Sequence, residues 1–164
     1  MAGAKANMFV SEKVAKDMTV NADGTITTKL TVEYKNPYPG SDCGLESGGL
    51  CLNAPLRNWV RVYVPTGSKL VESKGVQSPK DGKPVSMDSY ESLSKTVFEG
   101  FLIVNPLGTA RLDVTYTSPV KEQEGKYRLL IQKQAGTDGD EYTIKIGGRE
   151  RKKFTLQTDT ELTL

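Results

Sequence analysis

The feature that most constrains this chain is a two-residue rhythm of apolar side chains, broken at short intervals by Gly, Pro, Asn and Asp. Residues 25–35 show it most cleanly. Ile26, Leu30, Val32 and Tyr34 point one way, and Thr27, Lys29, Thr31, Glu33 and Lys35 the other. That alternation belongs to a half-buried antiparallel strand, and threonine suits its pleated surface. Asn21-Ala22-Asp23-Gly24 precedes it, and Asp-Gly supplies the positive φ that a hairpin turn needs. Asn36-Pro37-Tyr38-Pro39-Gly40 ends it, because proline cannot donate to a ladder.

The rhythm recurs along the chain. At 58–65, Val60, Val62 and Val64 share one face and Trp59, Arg61 and Tyr63 the other. Shorter strands follow at 69–73, at 110–117 through Leu112, Val114 and Tyr116, and at 127–133 through Leu129 and Ile131. A turn at 135–140 leads to a returning strand through Tyr142, Ile144 and Ile146, and Phe154, Leu156, Leu162 and Leu164 mark one or two more. Residues 95–104 carry bulky side chains on both faces: Val97, Phe101 and Ile103 against Phe98, Leu102 and Val104. This predicts a central strand covered on both sides, or a face sealed by a loop. Residues 86–92 suit a short strand or a single helical turn. Residues 5–16 fit an extended segment interrupted near Ala15 better than a helical stripe, and 74–84, rich in Gly, Pro, Ser and Lys, reads as a surface loop.

About eight to ten short strands and no long helix predict an all-β fold, an antiparallel β-sandwich. The missing crossover helices exclude a parallel α/β architecture. Residues 1–15 are expected to form an N-terminal arm or leading strand, and residues 16–164 a single β-sandwich domain. The fold is immunoglobulin-like in layer architecture only. The antibody pin joins cysteines on facing sheets around a tryptophan. Here Cys43 and Cys51 stand eight residues apart, and both precede Trp59.

Those are the only two cysteines. Free thiols, half of a metal site and a disulfide are the readings open to them. Two cysteines cannot supply four thiolates and the Cys-x-x-Cys spacing is absent, which sets metal aside. A disulfide closing a small loop is expected, and it implies an oxidising compartment. Such a bridge removes about 2–3 kcal/mol of unfolded-state chain entropy.

With no histidine at all, neither a histidine triad nor a histidine-bearing zinc site can be built. Gly-x-Ser-x-Gly and a phosphate loop are both absent, and Ser92-Leu93-Ser94-Lys95 has the Ser-x-x-Lys spacing without its partner motifs. The chain is therefore expected not to be an enzyme, with no catalytic residues and no cofactor. A net charge of +2 offers no electrostatic footprint for nucleic acid. The chain has neither a signal-peptide pattern at its start nor an apolar run long enough to cross a bilayer. It is expected to be part of a longer protein, meeting the membrane only through an anchor elsewhere.

Three surfaces are candidates for function. Trp59, Arg61 and Tyr63, aromatics flanking a cation on one strand face, suit a saccharide ring or a peptide. The plain alternative is that this face belongs to the sandwich core. Asp138, Asp140 and Glu141 set carboxylates in one tight turn as weak calcium candidates, beside the plain reading of a solvated hairpin turn. Arg149, Arg151, Lys152 and Lys153 form a basic patch for an anionic wall polymer or lipid headgroups, beside the plain reading of an edge strand blunted by charge.

Several runs occur together: Asp23-Gly24-Thr25, Asn36-Pro37, Leu56-Arg-Asn-Trp-Val-Arg-Val-Tyr-Val-Pro-Thr-Gly-Ser-Lys-Leu70, Lys95-Thr-Val-Phe-Glu-Gly-Phe101 and Tyr127-Arg-Leu-Leu-Ile-Gln-Lys-Gln-Ala-Gly-Thr137. Over residues 5–158 the chain resembles the C-terminal β-sandwich portion of large membrane-anchored bacterial cell-envelope proteins of uncharacterised function, many from candidate phyla. The resemblance implies an extracytoplasmic, cell-surface location and carries no activity; the cysteine pair is not part of the pattern. The expected function is a non-enzymatic binding, spacer or assembly module of a larger bacterial envelope protein, its partner a protein or a cell-wall glycan. The alternative is a carbohydrate-recognition module using the Trp59, Arg61 and Tyr63 face.

Overall fold

The computed structural model describes residues 5–44, 46, 48–120, 127–134 and 139–164. Among the described residues a 3-10 turn at Ala6–Phe9 precedes eleven strands: β1 (Ser11–Val20), β2 (Ile26–Asn36), β3 (Leu56–Pro65), β4 (Lys69–Lys74), β5 (Asp88–Ser92), β6 (Lys95–Val104), β7 (Gly108–Ser118), β8 (Arg128–Ile131), β9 (Asp140–Ile146), β10 (Arg149–Leu156) and β11 (Thr160–Thr163). The fold is an all-β sandwich, as the alternation predicts, with every described ladder antiparallel except β1–β9.

One layer is a six-stranded sheet in the order β10-β9-β1-β2-β7-β4. The second layer is split into a three-stranded sheet, β3-β6-β5, and a two-stranded ribbon, β11-β8. The split divides the core. Val14, Val32, Tyr34, Leu112, Val114 and Tyr116 of the large sheet pack against Val64, Phe98, Leu102 and Val104 of the three-stranded sheet. Met18, Ile26, Ile144 and Leu156 pack against Leu129, Ile131 and Leu162 of the ribbon. The period-2 pattern explains how one sheet serves both clusters. Val14 and Met18 lie on the same face of β1, as do Ile26, Val32 and Tyr34 on β2.

Three expectations need correction. β1 runs unbroken through Ala15 and is an interior strand, paired antiparallel to β2 and parallel to β9. The boundary expected between residues 15 and 16 therefore falls inside a strand. Second, β8 and β9 do not form a hairpin. β8 pairs with β11 in the ribbon, while β9 joins the large sheet beside β1, because the apolar faces of β8 and β9 belong to opposite layers. Residues 86–92 take the first of their two readings, a short strand, as β5 at the sheet edge.

The third concerns residues 74–84, which dip into the core instead of running wholly over the surface. Val76 is buried, and the Gln77 N–H donates to the Phe101 carbonyl at 2.8 Å. Two glycines permit the approach. Gly75 sits at φ 93°, where a Cβ would lie 1.8 Å from the Arg111 carbonyl oxygen. On β6, a Cβ at Gly100 would lie 2.6 Å from Val76 Cγ1.

β6 is the central strand of its sheet, and both of its faces are largely covered. Its inner face meets the large sheet. On its outer face, Val97 and Phe101 are buried beneath side chains of the neighbouring strands, Tyr63 and Tyr90 standing opposite Val97 and Trp59 opposite Phe101.

Candidate functional site

The outer face of β3-β6-β5 is an ordered grid. Register sets Trp59 opposite Phe101, Arg61 opposite Glu99 and Tyr63 opposite Val97, and β5 adds Asp88 beside Glu99 and Tyr90 beside Val97. Trp59 is 55% exposed, Tyr63 49% and Tyr90 40%. Trp59, Arg61 and Tyr63 are thus on the solvent side of the sandwich, not in its core. The Trp59 ring lies 5.4 Å from that of Phe101, and the Arg57 guanidinium stands 5.5 Å over the same ring. In the middle of the grid, Arg61 Nε donates to Glu99 Oε2, and the Tyr90 hydroxyl donates to the same oxygen at 3.1 Å. The hydrogen bond from Arg61 holds the Glu99 carboxyl below the usual carboxylate range. The result is an ion pair fixed between aromatic surfaces, one of which backs onto a buried ring.

Beside Trp59 the surface opens into a slot of about 170 Å³ between the free edge of β3 and the inner face of the large sheet. Val10, Leu56, Asn58 and Val60 line its walls, and Glu12, Tyr34 and Asp140 also face it. The ladder brings these three together. Glu12 is the direct partner of Tyr34, and the β1–β9 pairing of Lys13 with Glu141 puts Asp140 next to Glu12. Burial, with a further push from the Asp140 charge, raises the Glu12 carboxyl to about 7. Burial raises Asp140 as well, opposed by the Lys133 ammonium. The Tyr34 phenol is driven up by burial and by both carboxylates, and the Tyr142 phenol is pushed up to about 12.

Cys43 and Cys51 form the expected disulfide, with Cα atoms 4.3 Å apart. The base of their loop is also tied by side chains. Asn36 Nδ2 donates to Asn53 Oδ1 at 2.7 Å, and Asn53 Nδ2 donates to the Pro39 carbonyl at 2.8 Å.

The calcium candidates do not converge. Asp138 lies outside the described residues. Asp140 is buried as the first residue of β9, not solvated in a turn, and faces inward. Glu141, its neighbour on a pleated strand, faces the other side and pairs with Lys13 at 3.2 Å. Among the described residues no group of three or more His, Cys, Asp or Glu is placed to hold a metal ion.

The basic run starts at a turn and continues along a strand. Gly147 and Gly148, at φ 57° and 77°, make the two-residue turn from β9. The cations then lie on the edge strand β10, where a bulge falls between Glu150 and Lys152. Lys152 and Lys153 point to opposite faces, so the four charges do not form one patch.

Glu12 and Tyr34 were not singled out as site residues by sequence reasoning. Their signal is a carboxylate on an inward position of β1, in step with Val14 and Met18, across from an inward tyrosine. Reading a break near Ala15 hid it.

No protein-family model matches the chain, and no curated protein matches it. Among solved structures it is similar to an M1 zinc metallopeptidase from Deinococcus radiodurans, at 10% identity and a TM-score of 0.41, over 94% of this chain and 38% of that one. A substituted form of that enzyme bound to a Tyr-Ser-Ala substrate matches at 10% identity and a TM-score of 0.40, over the same shares of 94% and 38%. The chain thus spans 38% of the length of these structures. No helix among the described residues is long and apolar enough to cross a membrane.

Proposed function

We propose that this chain is a non-enzymatic, extracytoplasmic binding module of a larger bacterial envelope protein, with the outer face of β3-β6-β5 as its ligand surface. The observation that carries this reading is the exposure of Trp59, Tyr63 and Tyr90 around the Arg61–Glu99 pair. Large aromatics left in water on a regular sheet face are most useful as a contact surface. The disulfide supports an oxidising location, and the resemblance to membrane-anchored envelope proteins supports attachment through an anchor elsewhere in the full-length protein.

The grid also favours a ligand class, a cell-wall glycan. A sugar ring stacks its C–H face on an indole and bonds its hydroxyls to a fixed guanidinium–carboxylate pair. The test is retention of the chain on insoluble bacterial cell wall. Wild type is expected to be retained, and Trp59→Ala to be lost from the pellet while keeping a single cooperative thermal unfolding transition. Retention unaffected by Trp59→Ala would overturn the reading.

A further inference from the structure

The slot beside Trp59 contains a chemical demand that the described residues do not meet. Asp140 is 8% exposed and Tyr34 3%. Neither their side chains nor that of Glu12 makes a hydrogen bond or salt bridge to any described residue. No buried side-chain polar atom among the described residues lacks a hydrogen-bond partner, so these oxygens are not sealed in the core but reach the slot. Carboxylates brought together in a partly desolvated slot share a proton or take a cation. Of the chain's amines, Lys133 acts on Asp140 through its charge alone, its ammonium donating to the Gln134 carbonyl at 3.0 Å, and Lys16 has burial as the cause of its depression with no carboxylate opposing it.

We propose that the slot takes the terminal ammonium of a lysine-type side chain on the ligand, its N–H groups donating to the carboxylates of Glu12 and Asp140 and the hydroxyl oxygen of Tyr34. This deepens the binding reading and rests on it, since the slot opens onto the outer face at Trp59 and Arg61. The donor set selects the guest. A primary ammonium has one N–H for each of these oxygen groups and no acceptor to leave unpaired. A calcium ion asks for about six to eight oxygens, more than these groups supply. The shape selects it further. About 170 Å³ lined by Val10, Leu56 and Val60 fits a slender alkyl arm, with its charge at the carboxylates and its methylenes against the walls. An amine borne directly on a sugar ring has no slender arm to enter so small a slot.

The test follows Nα-acetyl-lysine amide binding to the intact chain by NMR, reading the side-chain carboxyl carbons of Glu12 and Asp140 and the indole N–H of Trp59. Saturable shifts at all three are expected, with none from the same compound acetylated on its side-chain nitrogen. Glu12→Gln and Asp140→Asn are each expected to weaken binding by at least about tenfold. Equal shifts from the charged and acetylated compounds would overturn the inference, as would carboxyl shifts produced by calcium or glucosamine but not by the lysine probe. If wall retention depends on Trp59 but lysine-probe binding is unchanged in Glu12→Gln, the slot inference fails and the outer face stands. If the carboxyls respond to the lysine probe while retention ignores Trp59, the outer-face reading fails instead.

Discussion

Lys16 is the residue least suited to its surroundings. It stands on the inner face of β1 between Val14 and Met18, opposite Leu30 and Ile144, near the division between the two clusters of the core. Burial lowers its amine from 10.5 to about 8. The unfolded chain therefore binds more protons between those values, and stability rises with pH across that window and is fully penalised below it. Lys16→Met is expected to raise unfolding free energy at pH 7 by about 1–3 kcal/mol, with the gain shrinking as pH climbs past 8 toward 10.5. Urea unfolding across that range checks it, and a pH-independent difference would contradict it. Glu12 has the opposite slope. Its folded value of about 7 exceeds its unfolded 4.5, so stability is lost as pH rises through that interval. At this scale the sequence showed which side chains share a strand face but not which face is wet. Trp59, Arg61 and Tyr63 alternate with Val60, Val62 and Val64, and both sets are bulky. What decides is that no described strand layer lies outside the three-stranded sheet, a fact of assembly and not of local pattern.

At the scale of elements, the loop between β2 and β3 is held twice. The disulfide closes its middle. The Asn36–Asn53 amide pair closes its base, with the Ser41 N–H donating to the Asn53 carbonyl at 3.0 Å. Reduction is therefore expected to leave the sandwich folded. It should speed amide hydrogen exchange at residues 41–53 and lower global stability by about 2–3 kcal/mol. Exchange that accelerates equally in β2 and β6 would show that the bridge supports the whole fold. Strand positions were legible because polar turns bracket apolar alternation, as Asp23-Gly24 does before β2. Pairing was less so. The β8 and β9 segments are close in sequence and look like a hairpin, yet the parallel place beside β1 is chosen by burial of Ile144 between the layers. Val76 was hidden for the same reason, since a lone valine in a polar loop has no period to betray it.

The whole molecule is closed by contacts between its ends. β1, from the start of the chain, is sandwiched between β2 and β9, and β10 completes that edge of the large sheet. Removing residues 1–15 would halve β1, take Val14 from the core and strip half of the β1–β9 pairing. The truncated chain is expected to lose its cooperative thermal transition and its β-type circular dichroism; retention of both would contradict this account. All-β character and the sandwich were readable from rhythm and turn chemistry. The split second layer was not, because it depends on how distant strands share one inner face. That split exposes the β3 edge and lets the slot meet the outer face at Trp59. The claim that this face is the ligand surface is tested most directly by Trp59 itself, the single tryptophan of the chain. In a fluorescence titration with solubilised cell-wall fragments, a saturable blue shift of indole emission and protection from iodide quenching are expected. An emission spectrum and quenching constant unchanged at concentrations where the fragments bind the chain would contradict it.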